Sequence, residues 1–283
     1  MSRFGGYFRL MRPVNCSMMG FAVIVGATIA NSNALISSLP NLAYGFANGF
    51  MLTAASMAIN DYRDREIDAV NEPSRPIPSG AVKPKEALAF ASVLTAIGFS
   101  ASYLTSMFCL LTAIIAWLLF VTYTTVGKRS GLLGNFLVSA CVAIPFVYGS
   151  VAISNEVRLA VLIFALIAFL SNTGREVTKG IVDVRGDKSK NVRTLAVRYG
   201  ERTAAVAAAV FYLSSVLLSP TPLFLSLVSF WFIPLVAITD IGLVASSIAL
   251  VRDFSGGNAR KVKRMVLLWF ITGLLAFVVG ALR

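Results

Sequence analysis

The sequence contains no histidine, only three cysteines and few charged residues. The absence of histidine excludes zinc sites built on imidazole and excludes histidine as a general base. Cys16, Cys109 and Cys141 are isolated within apolar runs, so we interpret them as core residues rather than as a disulfide framework. Charged residues make up 13% of the chain and apolar residues 57%. Any chemistry must therefore come from carboxylates, lysines, arginines and tyrosines on an apolar scaffold.

Apolar segments long enough to cross about 30 Å of hydrocarbon recur along the whole chain. We count nine such segments, which predicts an all-α, polytopic membrane protein. The predicted spans are 14–31, 41–59, 87–106, 108–126, 132–153, 157–175, 203–218, 223–251 and 264–282. The eighth span is long, and we expect Pro234 inside it to introduce a kink.

The distribution of basic residues predicts the orientation in the membrane. With nine spans, the N-terminus and the loops after spans two, four, six and eight share one side. Of the 25 lysines and arginines, all except Arg158 and Arg283 fall on that side. By the positive-inside rule that side is predicted to be cytoplasmic, at the cell membrane. Because the basic residues flank spans rather than form a soluble module, we expect no nucleic-acid partner.

Residues 1–15 are predicted to form an amphipathic lead-in on the membrane surface. In this segment Phe4 and Phe8 are available to the lipid interface, and Arg9 and Arg12 to headgroups. Asn15 lies where the first span enters the bilayer, either as a helix cap or as a site residue. Asp240 lies inside span eight, where a carboxylate is costly and either serves a function or pairs with another polar group.

The stretch 60–80, NDYRDREIDAVNEPSRPIPSG, gathers acidic side chains directly after an apolar run. On a helix, Asn60, Asp61, Asp64 and Asp68 fall within an arc of roughly 100°. Like charges on one face repel, so this stripe favours a bound cation. Mg²⁺ typically takes one or two protein carboxylates and completes its shell with water and substrate phosphate. The alternative is a solvated acidic helix end paired with neighbouring arginines.

Two further segments offer cationic and polar groups to the same side. The turn after the acidic stripe contains Pro76 and Pro78, which end the helix and can direct Arg75 back toward Asp64 and Asp68. Span four ends with Tyr123 and Lys128, and Asn135 opens span five. These residues are either interfacial anchors or parts of a site in which Tyr123 stabilises a cation and Lys128 neutralises phosphate.

A second charged stretch, 171–194, has the same plan as the first. Asp183 and Asp187 are four residues apart and are followed by Arg193, as Asp64 and Asp68 are followed by Arg75. If this stretch is helical, an arc of about 80° holds Asn172, Glu176, Lys179, Asp183 and Asp187. Each stretch follows the second span of a four-span unit. The two stretches are therefore predicted to be halves of one site, with spans one to four and five to eight as an internal repeat.

With both motifs in place, the chain resembles the UbiA superfamily of intramembrane prenyltransferases over nearly its whole length. The resemblance is carried by the nine spans, by Asn60-Asp61-x-x-Asp64-x-x-x-Asp68, and by the second motif around Lys179, Asp183 and Asp187. The motif sequences are similar to those of the archaeal branch that makes ether lipids, notably NEPSRPIPSG at 71–80 and NTGREVTKGIVDVRGD at 172–187. Gly180 departs from the pattern, because many relatives have Asp after the motif lysine. Glu176, Asp183 and Asp187 then supply the carboxylates.

The resemblance implies one transmembrane domain over 1–283, with nine helices in a ring around a central cavity and a cytoplasmic cap. It implies two Mg²⁺ ions bound by Asn60, Asp61, Asp64, Asp68, Asp183 and Asp187. It implies catalytic roles for Asp64, Asp68, Asp183, Asp187 and Tyr123. The residues expected to bind substrate are Asn15, Asn60, Arg63, Arg75, Lys128, Asn135, Glu176, Lys179 and Arg193.

The same resemblance implies a reaction and its substrates. We expect transfer of a geranylgeranyl group from its diphosphate to the hydroxyl of geranylgeranylglyceryl phosphate, a lipid phosphate acceptor within the membrane. That acceptor brings its own phosphate, for which Arg63, Arg175, Arg185, Lys188 and Lys190 are candidate partners. An aromatic acceptor, as in quinone biosynthesis, is the first alternative. A transporter of an anionic solute is the second, although carboxylates at the membrane face favour cations over a bare anion.

Overall fold

The computed structural model describes residues 3–125, 127, 130–189 and 192–282, and only the backbone of Ile67, Val70, Asn71, Arg185 and Ser189. These residues form helices joined by turns. The helices are α1 (Arg3–Met11), α2 (Pro13–Ala30), α3 (Leu39–Asn71), α4 (Pro84–Thr105), α5 (Met107–Thr125), α6 (Leu132–Ser154), α7 (Leu159–Val182), α8 (Val184–Ser189), α9 (Leu195–Tyr199), α10 (Glu201–Leu218), α11 (Thr221–Phe224), α12 (Phe232–Arg252) and α13 (Gly256–Ala281).

Within the described part of the chain, nine helices are long and apolar enough to cross a membrane. They are α2, α3, α4, α5, α6, α7, α10, α12 and α13, which confirms the predicted all-α membrane protein. The start of the eighth span was predicted wrongly: α12 begins at Phe232, and the residues before it form α11 and turns. Pro234 lies in the first turn of α12, where its missing N–H costs no helical hydrogen bond, so no kink arises there. The internal proline is instead Pro145 in α6.

The membrane helices follow one another around a ring. Each of α2 to α7 packs against the next, α7 packs against α10, α10 against α12, and α12 against α13. The last helix closes the ring by contacting both α2 and α7. The two halves also meet directly, because α2 packs along α6. The predicted internal repeat and the single domain stay predictions.

Glycines set the close approach of α2 and α6. A side chain added at Gly26 would collide with the Phe146 carbonyl, and one added at Gly149 would collide with the Val23 carbonyl. Without hydrophobic driving force between helices in lipid, small residues at such contacts let backbones pack closely. Polar contacts reinforce the neighbouring α3–α4 pair, where the Asn48 amide donates to the Gly98 carbonyl at 3.1 Å. Close backbone packing and buried polar contacts thus join neighbouring helices of the ring.

Both motif-bearing segments lie at the same end of the ring. The third helix is 33 residues long, or about 50 Å at the helical rise, which exceeds the hydrocarbon thickness of about 30 Å. Its last turns, with the first motif, therefore project past the membrane core. At this end the Arg3 side chain pairs with Glu86, and the Arg193 carbonyl packs against Gly131. The cap over the mouth and the cytoplasmic orientation stay predictions.

Candidate active site

The first motif is helical throughout, as predicted, because α3 runs without interruption to Asn71. Its side chains divide along two edges of the predicted stripe. Asp61 and Asp68 form one edge and are buried, with 2% and 6% of their surface exposed. Asn60 and Asp64 form the other edge, where the Asn60 amide donates to the Asp64 carboxylate at 3.2 Å. The acidic stripe thus has two environments rather than one.

Arginines hold the buried edge. The Arg12 guanidinium donates to Asp61 Oδ1 at 2.5 Å. Arg75 donates to Asp68 Oδ2 at 2.7 Å and lies 3.8 Å from Asp61 Oδ1. We call Arg12, Arg75, Asp61 and Asp68 the arginine clamp. Removing one partner of such a buried pair typically costs about 3–5 kcal/mol, because it leaves the other charge without compensation.

Arg12 is the site residue that sequence reasoning missed, since we had assigned it to lipid headgroups. It joins α1 to α2 in a left-handed conformation, with φ 53° and ψ 65°. Such a conformation is costly for a residue with a side chain and persists where the surroundings enforce it. Pro13, which follows Arg12, disfavours the helical conformation here and so separates the two helices. The Arg12-Pro13 pair predicts a helix break before the first span, but nothing local in the sequence points from it to Asp61.

The turn after α3 positions Arg75. Its backbone closes on itself through the bond from the Ser79 amide to the Arg75 carbonyl, at 3.0 Å. Gly80 has φ +75°, which favours glycine. Ile77 and Val82 are buried against Leu10 of α1. Burial disfavours the charged form of Arg75, but hydrogen bonds with Glu72 and Asp68 outweigh it and raise the pKa of the guanidinium. The prediction that this turn directs Arg75 to Asp68 is confirmed.

The other edge of the stripe faces charged groups of the second motif. The Tyr123 hydroxyl, at the end of α5, lies within electrostatic range of Lys179 and Glu176 of α7 and of Asp64 of α3. Tyr123 is half-buried. We call the space bounded by Asp64, Tyr123, Glu176 and Lys179 the central cavity. Both motifs therefore contribute charge around one tyrosine.

The second motif is helical only in its first part. Within α7, Glu176 accepts from Lys179 Nζ at 3.3 Å and from Arg175 Nη1 at 3.2 Å. The α-helix ends at Val182, and Asp183 has φ −99° and ψ 7° at its C-terminus. The predicted continuous stripe through Asp187 is therefore wrong, since Asp187 lies in the separate helix α8. Val184 and Gly186 have low helix propensity, which favours a break at this point.

The remaining predicted site residues are less enclosed. Asn15 is exposed and is the third residue of α2, so the helix-cap interpretation is wrong; Arg12 occupies the cap position. Asn135 is half-buried near the start of α6. Arg63 is exposed and donates to the Thr124 carbonyl at 3.2 Å. Arg193 is exposed. Lys128 lies outside the described residues.

Gly180 lies next to the segment that precedes α9. A Cβ at this position would meet the Thr194 side chain at 3.5 Å, an ordinary contact with the segment before α9. A carboxylate added at position 180 would therefore begin its path on the side of α7 that packs on Thr194. The departure from the motif at Gly180 leaves Glu176 as the carboxylate of α7 beside Lys179.

Among the described residues, no group of three or more His, Cys, Asp and Glu side chains is arranged to hold a metal. Mg²⁺ usually takes only one or two protein carboxylates, with water and substrate phosphate as its other ligands. Asp64, which lies beside Asn60 near Tyr123, suits such a partial ligand set. The residues therefore fit an ion that arrives with a diphosphate better than a closed protein cage.

Asp240 has a structural partner away from the central cavity. Its Oδ2 accepts from the Ser219 hydroxyl at 2.6 Å, across the contact between α10 and α12. Ser219 is 3% exposed. The interpretation of Asp240 as one member of a polar pair is thus confirmed, with Ser219 as the partner.

Comparisons with known proteins agree with this architecture. Residues 19–280 match the model of the UbiA prenyltransferase family. Digeranylgeranylglyceryl phosphate synthase of Archaeoglobus fulgidus is 37% identical over 278 residues, covering 96% of this chain and 94% of that protein. A solved structure concerning digeranylgeranylglyceryl phosphate synthase in membranes is 32% identical over 99% of both chains, with a TM-score of 0.85.

A more distant solved structure shares the fold. It is a UbiA homolog from Archaeoglobus fulgidus bound to GPP and Mg²⁺, 17% identical, covering 96% of this chain and 99% of that one, with a TM-score of 0.70. The family match favours an enzyme over the transporter alternative, and the TM-scores show that these structures share the fold of this chain. The chain belongs to the UbiA prenyltransferase family.

Proposed function

We propose that the protein transfers a geranylgeranyl group from geranylgeranyl diphosphate to the free hydroxyl of geranylgeranylglyceryl phosphate. The bond between the allylic carbon and the diphosphate oxygen breaks, and the diphosphate takes the electron pair. The acceptor oxygen then forms an ether bond to that carbon and loses its proton. The products are digeranylgeranylglyceryl phosphate, diphosphate and a proton.

One observation carries this proposal: both motifs contribute charged groups whose electrostatic influence reaches the same half-buried tyrosine. Tyr123 is near Asp64 from one motif and near Glu176 and Lys179 from the other. Carboxylates and a lysine suit a metal-bound diphosphate, and a tyrosine ring face suits a nearby carbocation. The identity with digeranylgeranylglyceryl phosphate synthases over nearly the whole chain supports the choice of acceptor.

Different residues of the chain have different roles in the proposed prenyl transfer. Bound Mg²⁺ would neutralise the diphosphate and make it a better leaving group. Carboxylates of both motifs would hold the metal-bound diphosphate in place, namely Asp64 and Asp68 from the first motif and Asp183 and Asp187 from the second. Lys179 would supply a further positive charge opposite the diphosphate. Arg75 fixes Asp68, and Arg12 fixes Asp61, so we assign Asp61 a positioning role. The apolar walls of the ring exclude water and so protect the carbocation from hydrolysis.

We also propose that the motif-bearing end faces the cytoplasm. Every basic residue except Arg158 and Arg283 lies on that side of a nine-span chain, and the positive-inside rule then sets the orientation. In a variant lacking Cys16, Cys109 and Cys141, a cysteine at Ser79 should react with a membrane-impermeant maleimide only from the cytoplasmic side. A cysteine at Glu156, whose side chain is exposed in the turn after α6, should react only from the opposite side. Reversal of the two labels would overturn this orientation.

The assay of function pairs geranylgeranyl diphosphate with three acceptors in detergent, each with Mg²⁺ and with EDTA. The acceptors are geranylgeranylglyceryl phosphate, the same ether without its phosphate, and 4-hydroxybenzoate. We expect ether formation and diphosphate release with the first acceptor, and loss of activity in EDTA. A clear preference for 4-hydroxybenzoate would instead assign the protein as an aromatic prenyltransferase, and full turnover in EDTA would refute the role of the metal.

A further inference from the structure

Arg175 and Lys179 share a single carboxylate within a membrane helix. Arg175 Nη1 lies 3.2 Å from Glu176 Oε1, and Lys179 Nζ lies 3.3 Å from Glu176 Oε2. The side chain of Glu176 is 12% exposed and that of Arg175 is 23% exposed. Glu176 is thus shared between the two cations, and Asp183 supplies a further negative charge near Lys179. Arg175 has only this shared carboxylate as an ion-pair partner among the described residues, and its partly desolvated guanidinium favours an additional anion.

The guanidinium of Arg175 also has an unused donor. Its Nε is buried and makes no hydrogen bond; the other buried side-chain atoms without a partner in the described part of the chain are the hydroxyls of Ser154 and Ser229. A buried donor on a charged group is costly to leave unpaired. The Nε and Nη edge of an arginine forms a fork that matches two oxygens of a phosphate. Neighbouring protein atoms cover this Nε but give it no hydrogen bond, so a phosphate that binds the partly exposed guanidinium after a small shift of the side chain would supply the missing acceptor.

Other cations near the motifs are less suited to this task. Arg63 is exposed and donates to the Thr124 carbonyl. Arg75 is engaged by Asp68 and Glu72. Lys188 is exposed. The side chain of Arg185 and the whole of Lys190 lie outside the described residues.

The position of Arg175 suits the acceptor rather than the diphosphate. Arg175 is one helical turn, or about 6 Å, deeper in the bundle than Lys179. In geranylgeranylglyceryl phosphate the attacking hydroxyl and the phosphate belong to the same glycerol unit, so the two groups are only a few bonds apart. An acceptor whose hydroxyl approaches a prenyl diphosphate near Lys179 therefore places its phosphate within reach of Arg175.

We propose that Arg175, held by Glu176, binds the phosphate of the lipid acceptor and so determines acceptor specificity. This inference rests on the proposed function. The measured quantity is the ratio of kcat/KM for geranylgeranylglyceryl phosphate to kcat/KM for the phosphate-free ether. We expect Arg175→Gln to lower this ratio about 30-fold, since a charged hydrogen bond of about 2 kcal/mol is lost. Arg175→Lys, which keeps the charge but loses the fork, should lower it by a smaller factor.

The control is Arg198→Gln, which removes an exposed arginine outside both motifs and should leave the ratio unchanged. The KM for geranylgeranyl diphosphate should stay within about twofold of wild type in both Arg175 variants, because the diphosphate lies elsewhere. If Arg175→Gln does not fold, Arg175→Lys decides the question. A wild-type ratio that survives both substitutions would overturn this inference alone. A wild-type enzyme without any preference for the phosphate would overturn the proposed function itself.

Discussion

The two motifs are similar in sequence plan but differ in how the fold supports them. The first lies on an uninterrupted helix and has an edge buried by arginines from two other segments, Arg12 and Arg75. The second loses its α-helix at Asp183, which is exposed and is followed by the six-residue helix α8. The first motif is thus held in place by the arginines of the folded protein, whereas the second motif is more exposed to solvent.

The two motifs therefore differ in the free energy that is needed to place their carboxylates in the folded protein. Enclosing Asp61 and Asp68 requires paired cations, because an unpaired buried carboxylate is unfavourable. The exposed Asp183 needs no such support, since water solvates it. The first motif is therefore expected to combine function with stability, whereas the second is expected to affect mainly function. Substitutions on each side can separate these contributions.

The largest effect is expected on the cavity-facing edge of the first motif. Asp64→Asn should lower kcat/KM about 100-fold or more, because it removes charge that holds the metal-bound diphosphate. The thermal unfolding temperature in detergent should change little, since Asp64 lies outside the arginine clamp. A variant that keeps wild-type kcat/KM would remove Asp64 from the mechanism.

A smaller effect, on stability, is expected in the arginine clamp. Arg12→Gln should lower the free energy of unfolding by about 2 kcal/mol, less than for a fully buried pair because the Arg12 side chain is 33% exposed. The double variant Arg12→Gln/Asp61→Asn should recover part of this loss, since it removes the uncompensated charge as well. Arg3→Gln, which breaks an exposed pair with Glu86, serves as the control. Thermal unfolding of Arg12→Gln at the wild-type temperature would contradict the clamp.

The smallest effect is expected at the break in the second motif. A Cβ at Gly186 would meet nothing within 4 Å, so Gly186→Ala should stabilise the protein by about 0.5–1 kcal/mol through helix propensity. Gly26→Ala is the contrasting variant, because its Cβ would collide with the Phe146 carbonyl. Both are measured by thermal unfolding in detergent. Destabilisation by Gly186→Ala would mean that glycine is needed for this backbone.

Sequence alone could predict the parts of the molecule that follow from local pattern. The nine spans follow from apolar length, and the stripe of Asn60, Asp61, Asp64 and Asp68 follows from helical period, so both were foreseen. The division of that stripe into two edges was not foreseen, because it depends on Arg12 reaching Asp61 across 49 positions of sequence. The break at Asp183 was not foreseen, because the spacing of Asp183 and Asp187 also fits a continuous helix.

The incomplete hydrogen bonding of Arg175 also lay beyond sequence reasoning. Arg175 was one of several basic residues beside the motifs, and its neighbours in sequence do not distinguish it from Arg63. Only the packing of α7 buries its Nε and leaves that donor without a partner. Burial and pairing of long side chains depend on tertiary contacts, which local patterns do not encode.

The central claim is that Asp64 of the first motif and Lys179 of the second act on one diphosphate. The most direct measurement is a double-mutant cycle on kcat/KM for geranylgeranyl diphosphate, with Asp64→Asn, Lys179→Gln and the double variant. For a shared site we expect the double variant to lose at least about tenfold less than the product of the two single losses, a coupling of about 1.4 kcal/mol. Losses that multiply to within about twofold would show independent action and would contradict a single site.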